Sequence, residues 1–248
     1  MTAGRRALVV VASLLSVGLL GFLATRMMPS ASPVLVSQEP AAQAPVPTSV
    51  TDPVAPTVEA PASAPVVDPV WVADISTRAG IPAPAVRAYA TAQLREPRDC
   101  EVGWTTLAGI GWVESQHGTL DGRTLADDGR SSTPILGPAL DGDPYAAIRA
   151  TPETSAWHGD PLWDHAVGPL QFIPSTWEQW GTDADGDGVA DPNDIDDAAG
   201  AAVAYLCADG HDLTSGAGWA DAVLGYNHDQ SYVESVYAAA TAYASRTE

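Results

Sequence analysis

The sequence predicts a mainly α-helical domain interrupted by one strongly acidic loop, and three observations lead there. Apolar residues between Trp71 and Tyr243 recur at three- and four-residue spacing, the period of a helix with one face on a core. No run of useful length alternates apolar and polar residues as a half-buried strand would. Residues 183–194 break the helical pattern with regularly spaced aspartates and glycines.

The chain opens with Arg5-Arg6, an uncharged run from Ala7 to Ala24, and Arg26. A positive flank followed by an apolar segment is an export signal. Its length fits both a long signal peptide and a short N-terminal membrane anchor, so residues 1–28 are assigned to one or the other. Residues 29–70 are rich in Pro, Ala, Val, Ser and Thr and lack aromatics, a composition that favours a disordered, extended linker. Residues 71–248 form the single folded domain. They carry eight Arg and no Lys against 27 Asp and Glu, a net −19. That balance excludes nucleic acid as a partner, since phosphate recognition needs cationic contacts, and it suits a secreted domain that binds a divalent cation. Cys100 and Cys207 are the only cysteines. In the oxidising compartment that an export signal implies they pair as one disulfide; two free buried thiols are the alternative.

Within the domain, Trp71–Ala79 and Ala85–Leu94 carry helical spacing, separated by Pro82 and Pro84. A third helix begins near Trp104 and is expected to end at Gly118, a residue type that closes helices in a left-handed conformation. Residues 119–167 read as loop, with short ordered candidates at Pro134–Leu136 and Tyr145–Arg149. Pro174–Trp180 is a short helix with proline in its first turn. Ile195–Ala208 follows, with Asp196 and Asp197 at its positive end, and Ala220–Leu224 and Tyr232–Tyr243 complete the set.

The third helix carries the chemistry. Leu107, Ile110, Gly111 and Glu114 fall at i, i+3, i+4 and i+7, which puts a carboxylate on the core-facing stripe. An apolar wall raises a Glu pKa toward neutrality and fits it to donate a proton; the alternative is a Glu at the end of an exposed face. His117 stands three residues on and is read as a structural hydrogen-bonding group.

The stretch from Asp183 to Asp194 follows the twelve-residue calcium-loop pattern. Asp183, Asp185 and Asp187 occupy positions 1, 3 and 5, Gly188 supplies the turn, the Val189 carbonyl stands at 7 and Asp191 at 9. Position 12 is Asp194 where the pattern has Glu, one methylene shorter. These six residues are the candidate ligands of a structural Ca²⁺, in an EF-hand-like loop embedded between helices.

The order Glu114-Ser115-Gln116-His117-Gly118, then GPLQFIPSTW from Gly168 to Trp177, then the calcium-type loop, then Tyr226-Asn227, resembles the lytic murein transglycosylases. The likeness is to the membrane-bound type B branch in actinobacterial-looking chains, and it spans residues 100–243. It implies a lysozyme-like domain that acts on peptidoglycan outside the cytoplasm. The bond cleaved would be the β-1,4 bond from N-acetylmuramic acid (MurNAc) to N-acetylglucosamine (GlcNAc), leaving a 1,6-anhydro end. By the same resemblance Glu114 is the single acid and base, and Ser115, Gln171, Tyr226 and Asn227 contact or orient the sugar. Two further readings keep the fold and change the activity. One is a hydrolytic muramidase, whose second carboxylate would come from Asp121, Asp127, Asp128, Asp141, Asp143 or Asp164. The other is a non-catalytic cell-wall-binding protein.

Overall fold

The computed structural model describes residues 66–97, 100–142 and 146–248. The export segment 1–28, nearly all of the linker, Asp143 and Tyr145 lie outside the described residues. Among those described, no helix is long and apolar enough to cross a membrane.

The expected helical class is what forms. Helix α1 (Pro69–Ala79) starts on Asp68, whose carboxylate accepts from the Val70 N–H at 2.8 Å, and stops at Gly80 in the left-handed conformation. Helix α2 (Ala83–Leu94) follows Pro82 with Pro84 in its first turn, where a missing N–H costs nothing. Helix α3 (Trp104–Ser115) is buried all round from Trp104 to Gly111, packed among α2, α6 (Ile195–Cys207) and α8 (Gln230–Thr247). Gly111 permits that packing: a Cβ there would stand 2.0 Å from the Tyr89 hydroxyl on α2. Helix α7 (Gly216–Tyr226) completes the core, with the Trp219 indole N–H donating to Thr106 Oγ1 at 3.0 Å. The disulfide joins Cys100, before α3, to Cys207 at the end of α6, with their Cα atoms 5.7 Å apart.

Three sequence expectations change. Helix α3 ends at Ser115 rather than Gly118, because Gln116 (φ 52°) and His117 (φ 60°) already adopt left-handed backbone. The final two helices are longer than their apolar cores suggest, since Ser215 and Asp229 cap them further upstream. The 119–167 stretch is not simply loop. It contains a one-turn 3₁₀ helix (Leu120–Gly122), strand β1 (Leu136–Ala139), helix α4 (Pro152–His158) and strand β2 (His165–Val167), with β1 and β2 antiparallel. Strands of four and three residues are too short to show alternation. A reciprocal Thr151–Thr154 capping box starts α4 where the usual sequence signal would be a Glu or Gln. Helix α5 (Pro174–Trp180) lies where the sequence places it.

Candidate active site

Glu114 occupies the last turn of α3, half-buried. Its Oε1 accepts a 2.6 Å hydrogen bond from the Tyr232 hydroxyl, delivered from the first turn of α8. Burial disfavours the carboxylate and raises the Glu114 pKa to about 7, against the smaller opposing effect of the Tyr232 bond. The group is therefore divided between acid and base at neutral pH. Tyr232 was not singled out in the sequence as a site residue. A tyrosine on an apolar helix reads as core, and its partner lies 118 residues away.

Tyr226, at the end of α7, stacks parallel to Tyr232 with ring centroids 6.5 Å apart and donates to the Leu170 carbonyl at 2.9 Å. Burial, and then the charge of Glu114, hold its hydroxyl protonated well above the ordinary range. Leu170 and Gln171 belong to the turn between β2 and α5. Gln171 has φ 52° and donates from Nε2 to the Gly168 carbonyl at 2.8 Å. Its Oε1 lies against β1, where a Cβ at Gly137 would come within 2.7 Å of it. Gln171, Phe172, Thr176, Tyr205 and Tyr226 line an open cavity of about 300 Å³. A second open cavity of about 310 Å³ is lined by Trp112, Glu114, Gln116, Leu120 and Ser235. Glu114, Gln171 and Tyr226 are thus brought into one region.

The other two expected sugar contacts are placed differently. Ser115 is 1% exposed, and its hydroxyl bridges the Pro169 carbonyl and the Gly118 N–H at 2.8 Å. It ties the end of α3 to the GPLQF turn. Asn227 is exposed and ends α7 in extended backbone. His117 takes the structural role expected of it: Nδ1 pairs with the Tyr89 hydroxyl at 3.2 Å and Nε2 with Tyr243 at 2.9 Å. Burial drives its pKa down to about 3, which keeps the ring neutral.

The acidic loop divides its six expected ligands. Carboxylate oxygens of Asp183, Asp185 and Asp187 all lie within 4.8 Å of one another at the surface. The Val189 residue is exposed beside them. Asp191 is paired with the Arg130 guanidinium, which also approaches Asp187 at 3.9 Å and Asp194 at 3.8 Å. Asp194 departs from the pattern: it is 1% exposed and caps α6, accepting from the Asp196 N–H at 2.9 Å. The carboxylate that reaches the loop from α6 is Asp197, which accepts from the N–H groups of Ala184 at 2.7 Å and Asp191 at 2.9 Å. Sequence spacing did not single it out, because it lies beyond position 12.

No curated protein matches the chain. Two solved structures of the Escherichia coli lytic transglycosylase Slt35 show a distant likeness. The complex with bulgecin A gives a TM-score of 0.44 at 17% identity over 72% of this chain and 79% of that one. The complex with calcium gives 0.43 at 17% identity over 72% and 80%. The mainly α, lysozyme-like class expected from the sequence stands: residues 153–224, which contain Gln171 and the acidic loop but neither Glu114 nor Tyr226, match the transglycosylase SLT domain.

Proposed function

We propose that the protein is a peptidoglycan lytic transglycosylase in which Glu114 serves as both acid and base. The observation that carries this reading is the half-buried Glu114 carboxyl, raised to about 7 while fixed at Oε1 by Tyr232. With Oε1 held, Oε2 gives its proton to the glycosidic oxygen as the MurNAc C1–O4 bond breaks, and GlcNAc leaves with a free 4-hydroxyl. The 6-hydroxyl oxygen of the same MurNAc then bonds to C1 and its proton passes to Glu114. No water is consumed, the 1,6-anhydro ring closes, and the carboxyl returns to its starting form. A pKa near the working pH suits one group to both transfers.

The surroundings favour one carboxylate over two. Asp164, the buried aspartate of the 119–167 arm, accepts from Thr154 at 2.6 Å and pairs with His158 at 3.2 Å. Asp121 faces Arg123, and Asp128 accepts from the Arg130 N–H. These three carboxylates already have protein partners, whereas a hydrolase needs one that activates a water beside Glu114. Gln171 and Asn227 contact the glycan, Tyr226 packs against Tyr232 and fixes the turn that carries Gln171, and Ser115 acts through that turn.

The acidic loop holds a structural Ca²⁺ in this reading. Ca–O distances of 2.3–2.6 Å put ligands on opposite sides of the ion roughly 5 Å apart, and the three clustered carboxylates fit that span. Asp183, Asp185, Asp187, Asp191 and the Val189 carbonyl are the ligands, with Asp194 left as the helix cap. The ion would neutralise the cluster and order the loop. The Arg5-Arg6 flank and the apolar run from Ala7 to Ala24 support a location outside the cytoplasm, with peptidoglycan as the partner.

Mass spectrometry of peptidoglycan digested by the protein, beside its Glu114→Gln variant, tests the assignment. Muropeptides one water lighter than hydrolysis products, absent with the variant, are expected. Ordinary reducing ends would make it a muramidase, and glycan binding without products would make it a wall-binding protein.

A further inference from the structure

A glycan strand extends to both sides of the bond being cleaved, so a carboxylate acting in mid-strand needs sugar-binding surface on both sides. The Gln171–Tyr226 cavity supplies one side. Tyr226 lines it and stacks on Tyr232, Tyr232 bonds to Glu114, and Glu114 in turn lines the second cavity, between α3 and α8. Ser235 of that cavity lies one helical turn beyond Tyr232 on α8, so the two share a face. The two cavities are thus linked through the candidate acid.

Trp112 is the one aromatic residue among those lining the second cavity. Every residue of α3 from Trp104 to Gly111 is buried, yet the Trp112 side chain that follows is 47% exposed. Its ring is not loose: the His117 imidazole backs it with centroids 6.0 Å apart, and that imidazole is held at both nitrogens by Tyr89 and Tyr243. The left-handed backbone at Gln116 and His117 turns the chain back so that this histidine reaches Trp112. Two consecutive non-glycine residues in that conformation persist only where their surroundings over-determine them. The product is a fixed aromatic face, with Leu120 alongside and the exposed Gln116 and Ser235 at the rim.

We infer that Trp112 is a sugar-stacking platform, a subsite that receives a pyranose of the glycan strand on the α3–α8 side of Glu114. A β-linked N-acetylhexosamine presents a flat face of axial C–H groups, and the electron-rich face of an indole complements it. Gln116 and Ser235 supply hydrogen-bonding groups for the hydroxyls and acetamide at the ring edge. The inference rests on the glycan-cleaving reading of Glu114 and adds to it which residue fixes the register of the strand.

The test is calorimetric binding of a GlcNAc hexamer and dimer to the Glu114→Gln protein, with and without Trp112→Ala or Trp112→Phe. Trp112→Ala is expected to weaken the hexamer about tenfold and Trp112→Phe to recover most of it, the dimer changing less. In the active protein Trp112→Ala should raise KM for long strands about tenfold with little change in kcat. An exposed ring can be removed without unfolding α3, and an unchanged melting temperature verifies this. Hexamer binding that is indifferent to Trp112 overturns the subsite while leaving the role of Glu114 intact. Absence of both hexamer binding and anhydro products overturns the two together.

Discussion

The hydroxyl of Tyr232 donates to Glu114 Oε1 at 2.6 Å, across 118 residues of sequence. The bond favours the ionised carboxylate, while burial favours the acid and prevails, leaving the pKa at about 7. Tyr232→Phe keeps the ring and its stacking on Tyr226 but removes the donor. The Glu114 pKa should then rise, moving the alkaline limb of the pH–rate profile upward. Loss of a charge-assisted bond at the reacting group should lower kcat about 10–100-fold. A limb that stays in place would remove Tyr232 from the tuning of Glu114.

The same burial makes a prediction about stability. Glu114 has a folded pKa raised from 4.5 to about 7, so the native state binds its proton more tightly than the unfolded chain. That contribution is fully present below about pH 4.5 and is lost as pH rises through about 7. Glu114→Gln, which never ionises, should match wild type in acid and exceed it by up to ~3 kcal/mol above pH 8. Denaturant titrations at pH 4.5 and 8 measure the difference. Equal stability at both would mean that Glu114 is solvated.

Activity should also distinguish one carboxylate from two. If Glu114 alone must begin protonated, kcat/KM falls with rising pH through about 7 with no acid limb from a second carboxylate. A bell-shaped profile would point to the hydrolytic mechanism.

In the acidic loop, Asp185 and Asp194 should behave differently although both stand at ligand positions of the twelve-residue loop. Ca²⁺ should raise the melting temperature of the wild type and a chelator should reverse it. Asp185→Asn should abolish that response, because Asp185 belongs to the clustered carboxylates. Asp194→Ala should cost about 1 kcal/mol through loss of the α6 cap and still respond to Ca²⁺. The reverse pattern would restore Asp194 as a ligand.

These contrasts mark how far the sequence reaches. Glu114 stood out because a carboxylate on the stripe of Leu107 and Ile110 violates a periodic rule. The stripe alone left an exposed-face Glu open, and the resemblance decided between them. Gln171 and Tyr226 came only with the resemblance, since one reads as a turn residue and the other as core. Tyr232 had no local signal, because its function is a long-range contact made by packing α3 on α8. Asp194 is ambiguous for a physical reason. An aspartate before a helix can ligate a cation or cap the N-terminus, and both roles place it at the same position. The end of α3 was misplaced because Gln116, the first residue to turn left-handed, is not a type that favours that backbone.

Gly168 links the acidic loop to the candidate active site and supplies the last prediction. It has φ 81°, and a Cβ there would lie 1.8 Å from the Pro192 carbonyl of the acidic loop. On its other side, Gln171 Nε2 donates to the Gly168 carbonyl. Gly168→Ala adds left-handed strain of roughly 1–2 kcal/mol to a clash between two backbones that cannot rotate away. The two segments must separate, so stability, Ca²⁺ response and glycan binding should fall together, with a drop in melting temperature of roughly 5–10 °C. Gly159 is the control: φ is 81° there too, but nothing lies within 4 Å of an added Cβ. Gly159→Ala should show only the strain, and equal effects of the two substitutions would mean that contact between the loops is not what holds the GPLQF turn.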